Sequence, residues 1–154
     1  METTQPTYQL RNATNDDLEF AIELNRLYMQ PYRDDLPGWT DRLGRAEMQR
    51  RWVADPYQMI LVDGERVGLL VVTERDDQLI LKQIELMPTH QGKGIGSEVI
   101  RDVLKQASAR GLGVTLYVLR SNPAVVLYER LGFYVVEVMD TGWRGVKYRM
   151  ILAN

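Results

Sequence analysis

The sequence predicts a mixed α/β domain: a mostly antiparallel sheet containing one parallel strand pair, flanked by about four helices. Three observations predict it. Strand-like runs at Met59–Val62, Val67–Thr73 and Leu79–Met87 follow one another across short turns, the pattern of an antiparallel meander. The third run leads through a helical stretch into another apolar run, Val114–Leu119, and a strand-helix-strand unit of this kind sets its two strands parallel. Apolar residues at helical spacing, with caps and stops around them, recur elsewhere along the chain. At 154 residues and 45% hydrophobic, the chain suits one domain, residues 1–154, with a sizeable core.

The elements follow in order. Tyr8–Ala13 reads as a first strand. Thr14 and Asp17 have capping-box spacing, so a helix follows, with Leu18, Ala21, Ile22 and Met29 on its buried face. Pro31 breaks it and Pro37-Gly38 marks a loop. Thr40 caps a second helix to about Ala54, whose weaker apolar face is Leu43, Ala46, Trp52 and Val53. Asp63-Gly64 is a hairpin signal between the first two strands of the meander, and Asp76-Asp77 turns the chain into the third. Pro88 ends that strand. A helix from Ser97 to Arg110 carries the stripe Val99, Ile100, Val103, Leu104 and Ala107, and Gly111 and Gly113 stop it. Asn122-Pro123 begins a short helix bearing Val126, Leu127, Tyr128 and Leu131, ended by Gly132. Phe133–Val138 and the alternating Val146, Tyr148, Met150 and Leu152 are the last strands.

Composition excludes several function classes. A formal net charge of −2 argues against nucleic-acid binding by bulk electrostatics. With no cysteine there is no disulfide, thiolate nucleophile or Cys-ligated metal, and one histidine, His90, is too few for a His-based metal site. No metal is therefore expected. No apolar run approaches a membrane span, and Met1–Thr7 lacks the basic and apolar regions of a signal peptide, so a cytoplasmic protein without membrane partners is expected.

The segment Gln91-Gly92-Lys93-Gly94-Ile95-Gly96 is the strongest chemical signal. A glycine-rich turn opening a helix offers free backbone N–H groups and the positive end of a helix dipole, a ready anion site. It is not a Walker P-loop, because Lys93 is followed by Gly94 rather than Ser or Thr. Nor does it follow the first strand of a parallel sheet, as a dinucleotide fingerprint does.

Together with its flanks this segment resembles the GNAT superfamily of acyl-CoA-dependent N-acyltransferases. The first matching motif is Ile84-Glu85-Leu86-Met87-Pro88 running into Gln91–Gly96, similar to the family's Gln/Arg-x-x-Gly-x-Gly/Ala pattern. The second is Asn122-Pro123-Ala124 followed by Leu127-Tyr128-Glu129-Arg130-Leu131-Gly132-Phe133, similar to the family's Asn…Tyr-x-x-x-Gly-Phe segment. The resemblance spans nearly the whole chain. It implies acetyl-CoA as acyl donor, a primary amine as acceptor, and direct attack in a ternary complex. The alternative is an acyl-CoA-binding module without catalysis. A homodimer is the assembly it suggests.

The resemblance implies a role for each of several residues, and most of them also have a plainer reading. Backbone groups of Gln91, Gly92, Lys93, Gly94, Ile95 and Gly96 would hold the CoA pyrophosphate, with Ser97 reaching a phosphate or only satisfying the first turn. Gln91 stands where many relatives carry arginine, so one positive charge is missing. The strand before the loop splays from its parallel neighbour, and the pantetheine arm pairs with Leu86 and Met87, one of whose N–H groups polarises the thioester carbonyl. Asn122 contacts the same arm, or caps its helix, or both. Tyr128 matches the tyrosine near the thioester sulfur, where a phenol can serve the leaving thiolate; from position alone it is a core aromatic. Glu85 matches a glutamate that acts as general base on this strand; its plainer reading is a structural carboxylate. For the acceptor, Tyr32, Arg33, Asp34 and Trp39 are candidates to shape a pocket for a small molecule or peptide amine. An acid there would suit a cationic amine, and Arg33 or Arg149 a carboxylate; the late segment Thr141–Arg144 is expected to form the other wall.

Overall fold

The computed structural model describes residues 8–153; the reading of Met1–Thr7 as free of a leader lies outside them. Seven strands form one sheet: β1 (Tyr8–Asn12), β2 (Tyr57–Val62), β3 (Glu65–Arg75), β4 (Gln78–Leu86), β5 (Gly113–Leu119), β6 (Phe133–Asp140) and β7 (Val146–Leu152). Their spatial order is β1-β2-β3-β4-β5-β7-β6, and only the β4–β5 pair is parallel. The helices are α1 (Leu18–Met29), α2 (Asp41–Ala54), α3 (Ile95–Ala109) and α4 (Ala124–Arg130). Mixed sheet, meander and parallel crossover all match the expected class.

The meander turns are made by residues that tolerate positive φ. Asp63 and Gly64 lie at φ 52° and 79°, and Asp76 and Asp77 at 52° and 62°, so each two-residue loop has the positive-φ conformation whose turn matches the right-handed twist of the paired strands. Helices cover both sheet faces. On one, α3 buries Val99, Ile100, Val103 and Ala107 against Leu79, Leu81, Val114 and Leu116. Each such Val, Leu or Ile side chain contributes about 1.5–3 kcal/mol on burial. On the other, Ala21 and Leu24 of α1 and Met48 of α2 pack on Tyr57, Met59, Leu69 and Val71.

Two helices differ from expectation. The face of α2 turned inward is Gly44 and Met48, while Leu43 and Val53 are exposed. Gly44 lies under the Trp39 indole, where a Cβ would come within 2.7 Å of the ring, so a residue with no side chain seats this helix. In α1 the fully buried positions are Ala21 and Leu24, with Leu18, Ile22 and Met29 half-buried.

Asp17 anchors the start of α1. It is 1% exposed, and its carboxylate accepts from both Arg11 nitrogens at 2.7 and 2.9 Å, from Arg66 at 3.2 Å and from the Thr14 N–H at 2.8 Å. These donors, led by Arg11, hold its carboxyl well below the usual range despite burial. Asp17→Ala would strand the arginines and the Thr14 N–H. Because the arginines are half-exposed, the loss is expected at about 2 kcal/mol rather than the larger cost of a fully buried pair. Asp17 contributes this stability above the ordinary carboxylate pKa and loses it as pH falls below. Denaturant midpoints of wild type and variant should therefore differ at pH 7 and converge in acid.

Candidate functional site

The site begins where β4 parts from β5. Their pairing runs from Gln78↔Gly113 to Leu81↔Leu116 and stops. At that point β4 bulges: Leu81 faces Val72 and Gln83 faces Val71, leaving Lys82 as the extra residue. A bulge bends its strand and re-aims the residues beyond it. Past this point β4 stays paired with β3 while β5 stays paired with β7, so a gap opens between Lys82–Leu86 and Tyr117–Leu119.

Register decides which backbone groups face that gap. The Met87 N–H donates to Val67 O at 2.8 Å, so Met87 spends its amide on the ladder to β3. In an antiparallel pair, hydrogen-bonded and non-hydrogen-bonded positions alternate. The amides of Leu86 and Ile84, opposite Gly68 and Leu70, therefore point away from β3 into the gap. Of the two expected N–H groups, Leu86 supplies the one that faces the opening. Gly68 makes room for it: a Cβ there would lie 2.4 Å from Glu85 O and 2.7 Å from Leu86 Cδ2.

On the α3 face lies a groove of about 210 Å³, lined by Leu86, Gln91, Gly92, Gly94, Gly96, Ser97 and residues of α3 and α4. Gly92 and Gly94 stand at φ 73° and 83°, a conformation that side chains resist, and Gly94 caps α3 from the left-handed region. That cap starts the helix at Ile95, two residues before the expected Ser97, and leaves the first-turn N–H groups without intrahelical partners. Gly96 has no positive φ and also lines the groove. Gln91 commits its side-chain amide to Leu86 O at 2.9 Å, tying the loop to β4. Lys93, Ile95 and Met87 do not line the groove; Ile95 is buried in the core.

On the α1–α2 face is a larger cavity of about 420 Å³. Glu85 lines it, 4% exposed. Its Oε2 accepts from Asn25 Nδ2 and Gln83 Nε2, each at 2.8 Å, and Gln83 is itself held by Tyr57 Oη at 2.8 Å. Oε1 is buried and has no hydrogen-bond partner among the described residues. Burial raises the Glu85 pKa, with the Gln83 and Asn25 bonds pulling the other way. Lys147 of β7 lines the same cavity, and burial, then Arg51 and Arg144, push it down to about 8.

The groove and the cavity share three lining residues, Tyr28, Ile84 and Tyr128. Tyr128 is 5% exposed, its ring edge-on to Phe133 with centroids 5.9 Å apart. Burial pushes its phenol up to about 12, so it is protonated at neutral pH. Its hydroxyl makes no hydrogen bond among the described residues. Asn122 is occupied at both ends: Oδ1 accepts from the Ala124 N–H at 2.9 Å and Nδ2 donates to Tyr28 Oη at 2.8 Å. Asn122 thus bonds the first N–H of α4 and lines the larger cavity rather than the groove, and Tyr28 keeps its own proton free to donate.

Of the four residues singled out for the acceptor, Trp39 lines the cavity and Tyr32, Arg33 and Asp34 do not. Arg33 instead pairs with Asp41 at 2.5 Å and stacks 4.5 Å from the Trp39 ring centroid, and Arg149 pairs with Glu137 on the sheet surface. The cavity wall comes from α1, α2, β4, β5 and the β6–β7 turn. Thr141, Trp143 and Arg144 of the late segment expected as the other wall do line the cavity; sequence reasoning missed Asn25, Gln83, Glu47 and Lys147. Only Gln83 had a signal, lying two residues from Glu85 and so on the same face. Among the described residues there is no cluster that could hold a metal and no helix long and apolar enough to cross a membrane.

Comparison with known proteins accords with this geometry. Residues 21–133 match the model of the acetyltransferase (GNAT) family. An uncharacterized N-acetyltransferase of Methanocaldococcus jannaschii is 29% identical over 150 residues, covering 89% of this chain and 65% of that protein. Mycothiol acetyltransferase of Corynebacterium glutamicum is 37% identical over 105 residues, 65% of this chain but 36% of the relative, so the chain spans only part of either. The ribosomal protein bS18-alanine N-acetyltransferase of Haemophilus influenzae is 25% identical, over 77% of this chain and 80% of that one. Among solved structures, PaiA N-acetyltransferase of Thermoplasma acidophilum in complex with coenzyme A superposes with TM-score 0.67 at 20% identity, covering 96% and 99% of the two chains. A GCN5-related N-acetyltransferase from Rhodopseudomonas palustris reaches 0.74 at 15% identity over the full length of both. The family model runs through both motifs, and the glycine loop and the parted strands lie where those motifs led us to expect them: this chain belongs to the acetyltransferase (GNAT) family.

Proposed function

We propose that the protein transfers an acetyl group from acetyl-CoA to the primary amine of a small molecule, by direct attack with both substrates bound. The observation that carries this reading is that two cavities on opposite faces of the sheet meet at Tyr28, Ile84 and Tyr128. One is built for a phosphate-bearing chain. The other holds a buried carboxylate with a free oxygen. A junction of this kind brings two reactants together without a covalent relay, and the chain has no cysteine to serve as one.

In this scheme the loop N–H groups and the α3 N-terminus hold the pyrophosphate. The Leu86 N–H donates to the carbonyl oxygen as charge develops there. Glu85 Oε1 takes the proton that the amine must lose. The C–N bond forms as the C–S bond breaks, and sulfur leaves toward the Tyr128 hydroxyl. Full proton transfer from a phenol near 12 to a thiolate whose acid has pKa about 8.5 is uphill by roughly 5 kcal/mol. Tyr128 therefore acts chiefly as a hydrogen-bond donor in the transition state.

The test is thiol release from acetyl-CoA with a broad amine panel, alongside calorimetric titration of CoA. Amine-dependent release is the expected result. Tight CoA binding with no amine-dependent release from any panel member would instead support a binding module and contradict the enzyme.

A further inference from the structure

The charges around the larger cavity do not balance. Asp55 is taken by Lys82 at 2.9 Å. A single carboxylate, Glu47, is shared by three guanidiniums: Arg50, Arg51 at 3.6 Å and Arg144 at 3.1 Å. The Arg144 Nε, though close to Glu47 Oε2, is buried and not aligned for a hydrogen bond. Lys147 has neither an ion pair nor a hydrogen bond among the described residues. The remaining acid, Glu85, is the group assigned to the amine proton. The wall thus carries more cationic than anionic side chains, and burial strengthens the field at Lys147 and Glu85, while Arg50 and Arg144 are partly exposed.

Resting on the acetyl-transfer reading above, we propose that the acceptor is an amine that also bears a carboxylate, and that Lys147 and Arg144, with Arg51 on the same wall, bind that carboxylate. An ammonium at Lys147 without a counterion is costly in this setting, and an entering anion removes the cost. Arg144 is held in reach by a built turn rather than a loose loop. Thr141 Oγ1 donates to Gly145 O at 2.5 Å, and the Gly142 N–H donates to Asp140 Oδ1 at 3.0 Å. The same excess charge repels polyamines, for which the cavity offers no carboxylate beyond Glu85 that is free of a cation.

The experiment uses the full chain with saturating acetyl-CoA and three matched acceptor sets: free α-amino acids, their carboxamides, and diamines including spermidine. Acids should exceed their own amides in kcat/KM by about 30-fold or more, since one charge-assisted contact is worth that much. Lys147→Met should cut the acid-to-amide preference at least tenfold. Arg144→Gln, in the partly exposed turn, should do the same, and guards against Lys147→Met failing to fold. Amides or diamines turning over as well as acids would overturn the carboxylate site while leaving acetyl transfer standing. An unchanged acid-to-amide ratio in both variants would overturn the assignment to these residues. No release from any set would overturn this inference together with the transfer reading.

Discussion

Replacing Tyr128 with phenylalanine is expected to lower turnover about 100-fold, at the low end of what one positioned proton donor contributes. Acetyl-CoA affinity should hold within a few-fold. The two effects separate because of where Tyr128 sits. Its ring packs against Phe133 and helps wall both cavities, and phenylalanine keeps that packing. What is lost is a hydroxyl with no other partner among the described residues, whose proton burial retains at neutral pH. An interaction realised only as the thiolate departs lowers kcat and leaves ground-state binding alone. Tyr28→Phe is the comparison that matters, since Tyr28 also reaches the junction with a free proton. Equal losses in the two variants would mean that the role is shared. Near-wild-type turnover for Tyr128→Phe across pH would remove Tyr128 from the chemistry.

Glu85→Gln should produce the other large loss, about 100-fold or more in turnover, and should also change stability in the opposite direction. The base must be ionised, so wild-type kcat rises with pH through a Glu85 pKa that burial has raised. The variant should lack that limb. The sign for stability comes from the same shift. A carboxyl with its folded pKa raised above the unfolded value destabilises the fold once pH exceeds the unfolded pKa. Below that value both states are protonated and the cost vanishes. Glutamine keeps an oxygen for Asn25 and Gln83 and removes the charge. The variant should therefore melt a few degrees higher than wild type at pH 7, with the gain shrinking toward pH 4. A variant with an unchanged rate profile, or one that melts lower at pH 7, would mean that Glu85 is a structural carboxylate.

The fold was legible where the local code was strong. Asp63-Gly64 and Asp76-Asp77 make the two tight turns, and the Val99–Ala107 stripe faces the core as its spacing requires. Capping and strand alternation located the remaining elements within about two residues. The apolar face of α2 was misread because its inward side is defined by an absence, Gly44 beneath Trp39, and a hydrophobic count does not register a missing side chain.

Much of the groove on the α3 face could be anticipated because most of its lining comes from two short stretches, Gln91–Ser97 and Ala124–Tyr128. Even so, register rather than composition separates Leu86, whose amide faces the gap, from Met87, whose amide bonds Val67. The cavity on the other face was less legible. It gathers Glu47 and Arg51 from α2, Glu85 from β4, Arg144 from the last turn and Lys147 from β7. Glu85 and the Thr141–Arg144 segment could be singled out, but nothing in sequence spacing joins Glu47 and Arg51 to Lys147 about a hundred residues on, and each of those three reads alone as an ordinary surface charge. The aromatic and charged segment at 32–39 drew attention instead, but Arg33 closes locally onto Asp41 and Trp39.

Direct transfer requires donor and acceptor to occupy the two cavities at the same time and to react where these meet. Initial velocities with acetyl-CoA and a reactive amine both varied test this most directly. Simultaneous occupancy predicts double-reciprocal lines that intersect, whereas a parallel family of lines, the mark of an acetylated protein intermediate, would contradict it.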